Sequence, residues 1–294
     1  MKKNLLFFLT ILLCLSGFAQ DVVKEPAKTA AKIKRFFVGV SYSYMSVDMK
    51  LAALSLHSVW YGNDLGTNEA SDDEINQIND VVDRNSRINA ICVQAGMSIL
   101  DKPNIKWKLK GSLMLGIAEN LTTVSNNSSG IKEYSFNSGF SKPCAGLGLD
   151  LGYQFNLHWG ISLRPFALGT MGNSNTIVDK ANSDPVNFDV LREDKYRSLY
   201  GRVSLFVTFT AGSVTVFAGP GFYRIWSHHI YKRELSQHDP GELITEEITT
   251  TIVPRNFIDG NLGASWRIIA PITLYAQAGF AGDFILNTGI HFNF

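Results

Sequence analysis

From Ile33 onward, apolar residues recur at every second position for about ten residues at a time, and turn signals separate the runs. Successive side chains of a strand point to opposite faces, so this period predicts strands with one apolar face and one small or polar face. Ten are predicted: Ile33–Asp48, Ser86–Leu100, Asn104–Leu121, Gly139–Asn156, His158–Gly172, Tyr196–Thr210, Ser213–Ser227, Thr250–Ile268, Ile272–Ala281 and Asp283–Phe294. In the fourth, Ala145, Leu147, Leu149, Leu151, Tyr153 and Phe155 share one face, with Cys144, Gly146, Gly148, Asp150, Gly152, Gln154 and Asn156 on the other. The run Val203–Tyr223 also alternates, so it predicts two strands around Ala211-Gly212 and no spanning helix.

The connections alternate as well. Short turns ("DKPN", "NLHW", "AG" and "IAP") follow strands two, four, six and eight, whereas long polar links follow strands one, three, five and seven. Only the last hairpin, through Gly282, departs from this. An even number of antiparallel strands, with short turns at one rim and long loops at the other, is the pattern of a transmembrane β-barrel. A soluble β-sandwich would carry the same alternation with its apolar face inside. Yet the aromatics of that face collect beside the short turns, namely Trp107, Phe155, Trp159, Phe209 and Trp266, with Phe292 and Phe294. A bilayer sorts rings by height into an interfacial girdle; a protein core has no reason to.

The two ends point the same way. Residues 1–19 read as a secretory signal peptide: Lys2 and Lys3, an apolar stretch from Leu5 to Leu15, then Gly17-Phe18-Ala19. Residues 20–32 are then a short periplasmic segment and 33–294 the barrel. At the other end, Asn287, Gly289, Phe292 and Phe294 sit in the spacing of the assembly signal of bacterial outer-membrane proteins, which the ending resembles. The chain thus resembles the porin-like small outer-membrane barrel families. That resemblance implies an all-β, up-and-down antiparallel barrel of about ten strands in the outer membrane, both termini in the periplasm. It implies outer-membrane lipid and the insertion machinery as partners, the latter recognising Phe294.

Charge changes little in this picture. Loss of Lys2 and Lys3 with the signal peptide brings the 27 basic residues to 25, against 26 acidic ones. No basic field points to nucleic acid. Two cysteines remain, Cys92 and Cys144, as one disulfide or two free thiols.

Candidate chemistry is sparse, and no cofactor or metal site is expected. In the first long loop, "SDDEINQINDVVDR" places Ser71 and Glu74 at capping-box spacing with Ile75, Ile78, Val81 and Val82 along one side, predicting a short helix over the barrel mouth. Asp72, Asp73 and Glu74 then complement the helix N-terminus. The fourth long loop carries His228, His229, His238, Asp239, Glu246 and Glu247. Surface proteases of the omptin family are also ten-stranded barrels with Asp and His above the membrane, but no omptin motif is matched here residue by residue. His228 and His229, as strand neighbours, face opposite sides. "AGPGF" within strand seven reads as a bend or bulge.

By parity the lumen receives Asp150, Arg164, Arg202, Arg255 and Asp259, with Phe166, Phe206, Phe217, Tyr223, Phe257 and Tyr275. A hairpin centred on Leu157 sets Asp150 opposite Arg164, predicting an ion pair. Side chains nearly fill the lumen of a small barrel, whereas aqueous channels belong to about 16 strands or more. The expectation is a monomeric barrel with a narrow or plugged lumen, acting as a structural or binding surface protein, with enzymatic activity left open. The alternatives are a selective small-solute pore, a surface hydrolase, or an accessory barrel of a secretion or assembly machine. No ligand is named by the sequence.

Overall fold

In a computed structural model of the chain, residues 36–60, 63–100, 106–126, 132–137, 142–175, 188–237, 243–280 and 284–294 are described. The predicted signal peptide, the "DKPN" turn and Gly282 lie outside them. Ten strands form a closed wall: β1 (Phe36–Trp60), β3 (Val82–Leu100), β4 (Trp107–Asn126), β6 (Lys142–Gln154), β7 (Trp159–Asn175), β8 (Phe188–Ala211), β9 (Val214–Gln237), β11 (Ile258–Ile269), β12 (Ile272–Phe280) and β13 (Phe284–Asn293). Each wall strand pairs antiparallel with its neighbours, and β1 closes the ring by pairing with both β13 and β3. Three further strands, β2 (Asn63–Glu69), β5 (Lys132–Asn137) and β10 (Leu243–Pro254), and one helix, α1 (Asp72–Val81), stand at the loop end.

The short turns set the register. Asn156 accepts bonds from the amides of His158 and Trp159 through Oδ1 and closes the β6–β7 turn, after which Cys144 faces Thr170 and Gln154 faces Gly160. Gly212 adopts φ +58°, the left-handed conformation that glycine tolerates best, and lets β8 return as β9 with Ala211 opposite Val214. Ala270-Pro271 makes the equivalent turn between β11 and β12. At Gly219-Pro220 the ladder with β8 is interrupted without a change of register, because proline has no N–H to donate. The expected bulge there is thus a gap in the ladder.

The apolar face of the sheet is outside. Leu113, Leu115, Leu147, Leu149, Leu205 and Val207 all point away from the lumen and are exposed. A sandwich would have buried them, so that alternative is excluded.

The predicted eighth strand, Thr250–Ile268, is two elements. Pro254 ends β10, and residues 255–257 separate it from β11. Below the break, β11 pairs with β9 and β12. Above it, β10 joins β9 directly to β1, pairing Met49–Trp60 with Ile244–Pro254. The reason is the short β12–β13 hairpin, which leaves the upper parts of β9 and β1 without partners; β10 satisfies both. One strand therefore stands where β11, β12 and β13 stand below, and the perimeter shrinks toward the loop end. Perimeter sets the bore of a barrel.

Candidate functional site

Residue chemistry inverts along the wall strands. On β1 the outward positions are first apolar (Phe36, Val38, Val40) and the inward ones small or polar (Ser41, Ser43). Beyond Tyr44 the inward positions become Met45, Val47, Met49 and Leu51, and the outward ones Ser46, Asp48 and Lys50. The same switch occurs on β3, where Ile88, Ala90 and Cys92 face inward beside outward Arg87 and Asn89. The lumen is thereby divided into a buried, largely apolar loop half, in which Thr170 bonds Asn120 and Ser198, and a polar turn half.

The apolar half is one contiguous buried cluster. It draws on every wall strand except β11 and β12, with Met45 and Met49 on β1, Ile88 on β3, Leu168 on β7, Tyr200 on β8, Ile225 on β9 and Ile285 on β13 among its members, each at most 1% exposed. Helix α1 adds Ile75 from above, and β10 adds Ile252. Cys92 and Cys144 belong to the same cluster; they are free thiols with their sulfurs 3.5 Å apart. They face each other across β4 at Gly116, which stands opposite both cysteines in the sheet.

Immediately below the cluster, Arg202 donates from Nη2 to Asp259, and Asn261 donates to the other carboxylate oxygen at 2.7 Å. The two side chains of the ion pair are only 2% and 1% exposed. Gly221 and Gly279 surround them because a Cβ at either position would collide with Asp259 and its partners.

The polar half is a cavity of about 410 Å³ that reaches the turn end. Asp150 and Arg164 meet there, with Arg164 Nε 3.0 Å from a carboxylate oxygen and both groups about one-third exposed. The guanidinium of Arg164 also lies over the rings of Phe217 and Phe206, at 4.2 and 4.9 Å from their centroids. Gln94 accepts from His291 or Tyr275, at 3.0 and 3.4 Å, across Gly39 of β1, which stands opposite both Gln94 and His291.

Arg255 and Phe257 are not in the lumen. Parity counted from β11 does not carry across the break at residues 255–257. Arg255 instead reaches Asp83 at 3.6 Å and the carbonyl of Asn79 at 3.1 Å, and Phe257 is 60% exposed. Of the five charged residues expected inside, the structure joins Asp150 to Arg164 and Arg202 to Asp259, and takes Arg255 to the helix.

Helix α1 is fastened at both ends. Ser71 forms the reciprocal capping box with Glu74, whose carboxyl is held below its ordinary range by bonds from the Ser71 amide and then the Ser71 hydroxyl. Near the other end, Asn79 accepts from the amide of Leu51 at 2.8 Å and donates to its carbonyl at 2.9 Å. The side chain thus substitutes for a strand partner at the register shift between Leu51 and Ala53. This docking was invisible to periodicity, since it depends on one polar side chain.

Among the described residues, His228 and His229 do not converge on one site. His228 lies 3.5 Å from Thr251 and His229 packs on the Tyr196 ring, while Glu246 and Glu247 pair in the sheet with Arg233 and Lys232. His238 and Asp239 lie outside the described residues. Among the described residues no three His, Cys, Asp or Glu side chains converge to hold a metal.

On the outer surface, aromatics form contacts at two heights. Beside the turns Trp107 packs on Tyr153, Trp159 on Phe209, and Phe36 on Phe294, with Phe155 and Trp266 exposed nearby. A second group, Tyr44, Phe280 and Phe284, stands at the β12–β13 hairpin. Eight residues of β12 separate its ends, about 26 Å along the strand at 3.3 Å per residue and about 20 Å in height at a tilt of about 40°, close to an apolar band about 25 Å tall. The chain has the architecture of an outer-membrane β-barrel.

No protein-family model matches the chain, and no curated protein does. Solved structures similar to it are the outer membrane protease OmpT from Escherichia coli (8% identity, 92% of this chain and 99% of that chain, TM-score 0.40) and the translocator domain of the autotransporter NalP from Neisseria meningitidis (9%, 99% and 98%, 0.38). The attachment invasion locus protein Ail of Yersinia pestis is also similar (10%, 88% and 99%, 0.28).

Proposed function

We propose that the protein is a monomeric outer-membrane barrel that binds a ligand and does not conduct, with its short turns facing the periplasm and its loop half standing outside the membrane. The carrying observation is the apolar cluster that fills the loop half of the lumen, with Ile75 of α1 set into it. A continuous water path would have to pass between side chains that are almost wholly buried. The outward face supports the membrane placement, because so large an exposed apolar surface is costly in water and favourable in lipid. The polar outward residues beyond Tyr44 mark the part of the wall that leaves the bilayer. Closure of the ring leaves no free edge in the wall for a second copy, which favours a monomer. Asn287, Gly289, Phe292 and Phe294 are assigned to recognition by the insertion machinery; Phe292 and Phe294 face outward and are exposed, as that role requires.

Orientation is tested by thiol labelling of intact cells. Leu65 on β2 and Leu157 in the β6–β7 turn are both well exposed, whereas the native thiols are buried and give little background. Leu65→Cys is expected to react with a membrane-impermeant maleimide on intact cells, and Leu157→Cys only after the outer membrane is permeabilised. The reverse pattern would invert the proposed orientation.

A further inference from the structure

The turn-half cavity has an excess of hydrogen-bond donors and of positive charge that the fold itself does not use. Lys108 and Lys110 line it and form no ion pair with any described residue, whereas Arg164 and Arg202 each face one carboxylate. Deeper in, Arg202 spends only Nη2 on Asp259. Its Nε and Nη1 are buried without a well-aligned partner, and the only acceptor beside them is the neighbouring Tyr200 hydroxyl. The hydroxyls of Ser162 and Ser204, both lining the cavity, are also buried and unpartnered. These groups adjoin one another: Arg164 stands opposite Ser204 across the β7–β8 ladder, Ser162 and Phe166 are its same-face neighbours on β7, and Arg202 stands opposite Phe166. Native proteins leave few buried polar groups unsatisfied, so several orphaned donors on one cavity wall call for an acceptor that the chain does not supply.

We propose that this cavity is a binding site for a small solute bearing an oxyanion, a phosphate or a carboxylate. Arg202 and Ser204 meet the oxyanion at the floor, Ser162 bonds the body of the solute nearer the turn end, and Lys108 and Lys110 attract the oxyanion at the wall. The volume suits a body the size of a monosaccharide or larger, since small-molecule sites begin at about 300 Å³. Phe166 and Tyr275 offer ring surfaces for that body, and Gln277 and Asn287 offer amides. Guanidinium and hydroxyl donors both suit an oxyanion; a cation would find Asp150 already paired. The inference rests on the plugged-lumen reading, because a site at the blind end of a lumen retains its ligand, whereas a through-channel would pass it on.

The test is calorimetric titration of the refolded full chain in neutral detergent at physiological salt, where neither orientation nor conductance enters. The probes are glucose 6-phosphate, glucuronate and, as the uncharged control, glucose. Saturable binding of at least one anionic sugar, at least tenfold tighter than glucose, is expected, and which of the two binds identifies the oxyanion. Ser204→Ala is expected to weaken that binding about tenfold, the lower range for a hydrogen bond to a charged group, and Ser162→Ala about threefold, as for a neutral hydrogen bond. Neither should lower thermal stability, because the hydroxyl removed has no partner in the fold. Lys108→Gln with Lys110→Gln should weaken binding and flatten its dependence on salt. Equal affinity for glucose and both anions, no binding of either anion, or serine variants that bind like the native chain while losing stability would each overturn the proposal. Such failure would leave the impermeability of the lumen to be judged on conductance alone.

Discussion

Replacing Asp259 with Asn is expected to lower the unfolding free energy of the refolded barrel by about 3–5 kcal/mol, the usual cost of removing one partner from a buried pair. The Arg202 guanidinium would remain, 4% exposed, beneath an apolar cluster and with two further donors already unpartnered. No second carboxylate is at hand to receive it. Arg202→Gln should cost a comparable amount by stranding the carboxylate, which would retain only the Asn261 amide. The double variant should be much less damaged than the sum of the two, because it removes both stranded charges. Chemical denaturation of the native chain, both single variants and the double variant supplies the cycle. Additive losses would mean that the two groups do not interact. Asp150 and Arg164 provide the internal comparison: about one-third exposed in a water-accessible cavity, they should show a coupling of only about 1 kcal/mol or less. Equal coupling in the two pairs would contradict the division of the lumen into a dry half and a wet half.

The second large effect concerns the apolar cluster. Met45 on β1 stands opposite Ile88 on β3, and Ile225 on β9 stands opposite Tyr200 on β8. All four are at most 1% exposed. Truncating Met45, Ile88 or Ile225 to Ala removes methyl and methylene groups from a packed interior and should cost about 2–5 kcal/mol each. Made together, the three substitutions take volume from one side of the cluster, on β9, β1 and β3 around β10, and the triple variant should pass ions in discrete steps while remaining a folded barrel by circular dichroism. Ile88→Ala alone should lose stability and remain closed. A folded triple variant as tight as the native chain would place the seal elsewhere.

Much of this architecture is legible in the sequence wherever both faces of a strand are governed by one environment. Around the β6–β7 turn the outward residues meet apolar surroundings and the inward ones a polar lumen, so parity alone aligns Asp150 with Arg164. Legibility fails where the environment changes partway along a strand. Met45, Val47, Met49 and Leu51 repeat the period-two pattern of Phe36, Val38 and Val40 on the opposite parity, and alternation cannot say which apolar stripe faces lipid and which faces the core. The cluster that closes the lumen is therefore missed, although the switch at Tyr44–Met45 records it. Arg255 and Phe257 are misplaced for a related reason, since a strand that breaks at Pro254 resets the parity count. The extensions of β1, β8 and β9 beyond the predicted ends, and the hairpins of β2 and β5, carry mixed polar sequence that resembles loop. Pairing with neighbouring backbone holds them as strands, and backbone pairing leaves little trace in composition. The candidate site is partly legible: Arg164 and Arg202 are placed correctly in the lumen, but the unpartnered serine hydroxyls beside them acquire meaning only once the packing is known.

The central claim is that the lumen is closed, and planar-bilayer recording of the refolded native chain tests it most directly. The expected trace is a baseline indistinguishable from the bare bilayer after insertion, with insertion itself verified by recovery of the protein in the membrane and by conductance of the Met45/Ile88/Ile225 triple variant under the same conditions. A steady conductance from the native chain, sustained at low voltage, would contradict the claim and return the protein to the class of selective pores.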